Sequence, residues 1–306
     1  MPPWFHAGLI ACLLLPAMAQ DAMLPPEELK IGGATISVTY APGKFDLPQS
    51  ALHAWIAHAA EAVTAYYGHF PVPEVRLRVN PAEGRSGVFH GTTWGKPYGA
   101  FTRISVGSQT GADELNNDWM LTHEFVHTGF PSVEDDHHWM EEGMATYVEP
   151  IARVEAGTLP AQRIWSDMLR DMPQGQPQPG DEGLDHTHTW ARTYWGGALF
   201  CLLADVRIHE QTKNRKGLQD ALRAIVAAGG TISVDWPLER ALKTGDAATG
   251  VGVLTGLYNE MKAKPAPADL EDLWKRLGIE RSGHIVVFHD DAPLGATRQA
   301  ITAPRK

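Results

Sequence analysis

Cysteine is almost missing from this chain: 306 residues contain only Cys12 and Cys201. Two cysteines cannot build a thiolate metal centre or a disulfide framework. Basic charge is also short, with 26 Lys and Arg against 36 Asp and Glu and a net charge of −10. No basic stripe is visible, which excludes nucleic acid as a partner, because phosphate binding needs one. The apolar run AGLIACLLL, residues 7–15, is too short to span a bilayer, so no integral membrane span is expected in the mature chain. Internal repeats and low-complexity tracts are absent too. What remains is ordinary for a soluble globular protein, 43% hydrophobic and 20% charged, with length enough for one large domain or two smaller ones.

The short apolar run is followed by Pro16 and by Ala17-Met18-Ala19. That is the shape of an export signal, so residues 1–19 are read as a signal peptide cleaved after Ala19, and the protein as periplasmic or secreted. The leading MPPWFH lacks Lys and Arg. A lipid anchor on Cys12, after Leu9-Ile10-Ala11, is the alternative, but the apolar run continues past that cysteine. Cleavage would leave Cys201 alone in ALFCLLA, where a buried, inert thiol is expected.

Patterning divides the rest into a sheet-bearing part, 20–110, with one helix, and a mainly helical part, 111–306. Alternation marks a strand at Ala34–Tyr40, and Val75–Val79 and Ala100–Val106 read as further strands separated by turns. Trp55, Ala59, Val63 and Tyr66 share one face of a helix over Ala51–Gly68. Helical patterns then cover Asp118–Thr128, Trp139–Ala152, Ala161–Asp171, Thr189–His209, Gly217–Ala228, Pro237–Lys243, Gly250–Lys262 and Ala268–Leu277. Met172–Asp185 is a loop by composition, and a short strand is expected at His284–Phe288.

The chemistry is concentrated in His123-Glu124-Phe125-Val126-His127, an HExxH pattern inside an apolar helical run. Residues four apart share a helix face, so the two imidazoles can converge on one ion. Zinc suits such ligands, and Glu124 stands where it can take a proton from water without ligating. The extended pattern HExxHxxGxxH fails here, since Gly129 comes one place early and Val133 stands where the third histidine would be. A second helix opens instead with Trp139-Met140-Glu141-Glu142-Gly143-Met144-Ala145-Thr146-Tyr147-Val148-Glu149, and a carboxylate near its start can face the histidines. Glu141, Asp135, Asp136, His137 and His138 compete for that place.

With these two helices the sequence resembles the gluzincin zinc metallopeptidases, in particular the catalytic segment of the aminopeptidase N and bacterial glycyl aminopeptidase families. Their second helix reads W-x-x-E-G-x-A-x-Y-x-E, and its first Glu is the third zinc ligand. The resemblance implies Glu142 for that role, between Trp139 and Gly143, and matches Glu149 to the later Glu. It also implies an α+β, thermolysin-like domain and one Zn2+ held by His123, His127 and Glu142. The spacing departs from aminopeptidase N, with a shorter gap between His127 and Glu142.

In the same families a Tyr in a Y-x-x-G pattern steadies the oxyanion, and Tyr194-Trp195-Gly196-Gly197 matches it. His186-Thr187-His188 is a weaker, second metal candidate. The aminopeptidase signature, a Glu-bearing strand motif that anchors the substrate amine, has no counterpart, because no acidic residue lies between Glu83 and Asp113. The strand Gly99–Val106 is expected to pair with a substrate backbone. The reading is zinc-dependent hydrolysis of a peptide or protein substrate, with Glu124 as general base. Its rivals are an exported protein with a structural zinc and a zinc hydrolase of a non-peptide bond.

Overall fold

Alternation in residues 34–40 buries Ala34, Ile36, Val38 and Tyr40 on one face of a strand. Val75, Leu77 and Val79 continue the same buried face on the next strand, while Arg76 and Arg78 face solvent. A computed structural model describes residues 24–283 and 285–303. The expected export signal, Cys12 and His284 lie outside the described residues.

The sheet has five strands, β1 (Glu27–Ile31), β2 (Ala34–Tyr40), β3 (Glu74–Ala82), β4 (Val88–Trp94) and β5 (Phe101–Gly107), in the order β1-β2-β3-β5-β4. β1 and β2 pair antiparallel across Gly32-Gly33; β2, β3 and β5 run parallel; β4 lies antiparallel to β5 on the outer edge. Between β2 and β3 the chain crosses over as α1 (Gln49–Tyr67), which buries Leu52, Trp55, Ile56, Ala59, Ala60 and Val63. Gly68 ends it at φ +83°, a left-handed conformation that only glycine adopts freely.

Two expectations are corrected here. Residues 80–99 are not merely turns, because they contain β4. β5 is also not free to receive a peptide, being hydrogen-bonded to β3 on one side and β4 on the other. The edge on this side of the sheet belongs to β4, and β1 forms the other. The β4 sequence VFHGTTW hides the strand, since glycine and threonine stand where apolar residues would mark alternation.

The rest is chiefly helical: α2 (Ala112–Asn117), α3 (Met120–Val126), α4 (His138–Glu155), α5 (Ala161–Asp171), α6 (Gly197–Thr212), α7 (Leu218–Ala227), α8 (Leu238–Thr249), α9 (Val253–Met261), α10 (Leu270–Leu277) and α11 (Gly295–Ile301). A hairpin of β6 (Ile279–Ser282) and β7 (Ile285–Phe288) precedes α11. A π-helical turn, Arg192–Gly196, leads into α6. Tyr66, Phe125, Tyr147 and Phe200, from α1, α3, α4 and α6, are fully buried. No helix among the described residues is long and apolar enough to cross a membrane.

Candidate metal centre

Asp118 starts the helix that carries HExxH. Its carboxylate accepts from the N–H groups of Met120 (3.0 Å) and Leu121 (3.1 Å), donors that the first turn otherwise leaves unpaired. The Trp55 Nε1–H donates to it as well, at 2.9 Å. α3 then runs through His123 and Glu124 and tightens into a 3-10 turn at His127–Gly129, with His127 still in helical conformation. The two imidazoles therefore stay on one face, ring centroids 5.0 Å apart.

Glu142 arrives on the first turns of α4. Its Oε2 lies 3.2 Å from His123 Nε2 and 3.7 Å from His127 Nε2. One ligand atom from each of the three falls within 4.8 Å of the others. Two imidazole nitrogens and a carboxylate oxygen are a usual zinc donor set, and ligands of a tetrahedral zinc stand about 3.3 Å apart. The residues fit the ion. Burial raises the Glu142 carboxyl, but His127 and His123 beside it outweigh that and hold it at about 2, so it stays anionic.

The other candidates are accounted for differently. Glu141 turns to His138 Nδ1 (3.0 Å) and the Val133 N–H (3.3 Å). His138 Nε2 reaches the other oxygen of Glu142 at 3.4 Å and does not join the trio. Asp135 and Asp136 are exposed, and His137 contacts Glu134 (3.2 Å) and Tyr258 (3.0 Å). His186 and His188 are exposed, and neither joins the trio.

Glu124 is buried next to the trio and lines the same cavity without joining the donor set. Thr93 of β4 donates its hydroxyl to Glu124 Oε2 at 2.7 Å and lies 3.0 Å from the Glu124 carbonyl. Gly91, on the same strand, gives the carboxylate room, since a Cβ there would collide with it. Burial raises the Glu124 pKa, against the pull of His127 and the Thr93 hydroxyl. Sequence reasoning missed Thr93 and Gly91, because no motif marks a residue that acts on the helix from a neighbouring strand.

Tyr194 sits in the π-helical turn, its ring nearly parallel to that of His123 with centroids 6.3 Å apart. Burial, with the Glu142 carboxylate adding to it, pushes the phenol up to about 12, so it remains a hydrogen-bond donor. α4 and α6 cross at Gly143 and Gly197, where a Cβ on either would meet the other's backbone. This contact explains the glycine after Glu142 and brings Tyr194 close. A cavity of about 650 Å³ opens here, lined by His90–Lys96 of β4 and its following turn, by Trp119 and by the trio, Glu124 and Tyr194.

No family model matches the chain, and no curated protein matches it in sequence. Solved structures match its fold. An aminopeptidase N family protein from Idiomarina loihiensis aligns with a TM-score of 0.62 at 14% identity, over 83% of this chain and 49% of its own. An M1 zinc metallopeptidase from Deinococcus radiodurans aligns at 0.51 and 16% identity, over 80% of this chain and 52% of its own. A mutant M1 zinc metallopeptidase from that organism, bound to a Tyr-Ser-Ala substrate, aligns at 0.50 and 15% identity, over 81% and 52%. The chain spans about half the length of these structures.

Proposed function

We propose that the chain is a zinc-dependent peptidase whose ion is held by His123, His127 and Glu142. The observation that carries this reading is the convergence of those three side chains while Glu124, one residue along the same helix from His123, stays outside the donor set and accepts a hydrogen bond from Thr93. Among the described residues three donors converge, where a structural zinc takes four, and this favours catalysis over a structural role. When bound, zinc supplies a Lewis acid for the scissile carbonyl and makes a water acidic enough to act as nucleophile near neutral pH.

The chain's own groups do the rest. The open edge of β4 pairs with the extended substrate backbone. Glu124 takes the proton of the attacking water and delivers it to the leaving amine. The Tyr194 hydroxyl donates to the oxygen that gains charge as the carbonyl becomes tetrahedral. A thermolysin-like catalytic unit over residues 20–306, exported after cleavage behind Ala19, completes the proposal. Sequencing the N-terminus of the mature protein tests the export step.

The deciding experiment pairs two substitutions. Glu124→Gln is expected to keep stoichiometric zinc and lose peptide hydrolysis, whereas Glu142→Ala loses the metal. Hydrolysis that survives Glu124→Gln, or zinc retained at full affinity by Glu142→Ala, overturns the assignment.

A further inference from the structure

Two exposed tryptophans flank the site: Trp119 lines its cavity, and Trp190 stands outside that lining, against Tyr194. Trp119 is 49% exposed and Trp190 62%. Exposed indole is costly, since each such side chain carries about 150–250 Å² of mostly apolar surface. Each packs against a ring of the site. The Trp119 ring meets His123 edge to face, centroids 5.6 Å apart, and Trp190 stacks on Tyr194 at 5.5 Å with 26° between planes. With His123 lying along Tyr194, the four rings form one arc, Trp119–His123–Tyr194–Trp190. The residues assigned to the metal and the oxyanion are the middle pair, and the two uncovered indoles are its ends.

Both indoles are fixed by the elements that fix the chemistry. Trp119 follows the capping Asp118, and Trp190 stands one turn before Tyr194 in the helical segment that continues into α6. Rigid aromatic faces of this kind supply contact area with little conformational entropy to lose. A peptide on the β4 edge presents its side chains alternately to either face, so residues beside the scissile bond meet these ends.

We propose that Trp119 and Trp190 are the walls of the side-chain subsites, and that the substrate is a peptide with a large apolar, above all aromatic, residue beside the bond that is cut. This inference rests on the peptidase reading. Covering both indoles is the binding energy that selects the substrate.

Pairs of hexapeptides that differ only in Phe against Ala, with the varied residue moved through every position, are offered to the zinc-loaded wild type. The same peptides are offered to Trp119→Ala, Trp190→Ala, Trp119→Phe and Trp190→Phe. At the position next to the cut, the wild type is expected to prefer Phe. Each alanine variant then lowers the Phe-to-Ala ratio of kcat/KM about tenfold, mainly through KM, and the phenylalanine variants restore most of it. A ratio that stays within twofold of wild type in both alanine variants overturns the subsite.

Calorimetric titration of the whole set of Phe hexapeptides into zinc-loaded Glu124→Gln protein, with and without Trp190→Ala, gives an arm that needs no turnover, read on the peptide that binds most tightly. A fivefold or greater rise in Kd supports the subsite, and an unchanged Kd overturns it. Peptide binding that depends on Trp190, without any Glu124-dependent cleavage, would remove the peptidase reading and leave the subsite standing.

Discussion

The side chain that holds the Glu124 carboxylate beside the proposed metal donors is a threonine hydroxyl from another element. Thr93→Val keeps the volume and removes the 2.7 Å hydrogen bond. The expected outcome is a kcat lower by about 10- to 100-fold with zinc content unchanged, read by steady-state kinetics beside metal analysis. Glu149 leads to a second residue-scale prediction. It is buried 3.1 Å from Arg153, and burial, offset in part by that arginine, raises its carboxyl from 4.5 to about 7. The folded chain thus holds this proton more tightly than the unfolded one. Its contribution to stability is complete below pH 4.5 and is lost as pH climbs to about 7. Melting curves between pH 4 and 8 should show the fall, and Glu149→Gln should flatten it. An equally steep profile in that variant would place the proton elsewhere.

At the scale of elements, the site depends on how closely α4 and α6 approach. Gly143→Ala or Gly197→Ala puts a methyl group into the opposing backbone, for a cost of about 1–3 kcal/mol. The same displacement moves Glu142 and Tyr194 apart, so thermal stability and zinc affinity should fall together; a loss of one alone would break the link. Parts of this arrangement were legible beforehand. HExxH spacing predicts that His123 and His127 share a face, because helical geometry is local. Glu142 is identifiable only through resemblance, since its position depends on how residues 129–138 turn back. β4 and Thr93 were not legible. An edge strand beside a carboxylate is built from glycine and threonine, and those residues erase the apolar alternation by which strands are read. The chain also shows α2 and β1 where sequence patterning marked nothing, each too short for a clear period.

For the molecule as a whole, the trio joins two helices that pack on each other and share α1, while β4 supports one and α6 the other. α3 packs on α1 and β4, and α4 on α1 and α6. An ion bound only by the folded arrangement stabilises it by mass action, about 4 kcal/mol at a thousandfold excess over Kd. Zinc should therefore raise Tm and a chelator lower it, and Glu142→Ala should remove most of that difference in differential scanning calorimetry. A Tm indifferent to zinc in the wild type would mean that the three side chains do not bind it.

The crossing of Gly143 over Gly197 carries a lesson for anyone who wants to retarget this cleft. Bare backbone against bare backbone leaves no tolerance for repacking, so the spacing of carboxylate and phenol is a fixed dimension of the scaffold. Variation belongs at the two solvent-facing indoles, where a new side chain gives up a ring contact and leaves the backbone crossing untouched.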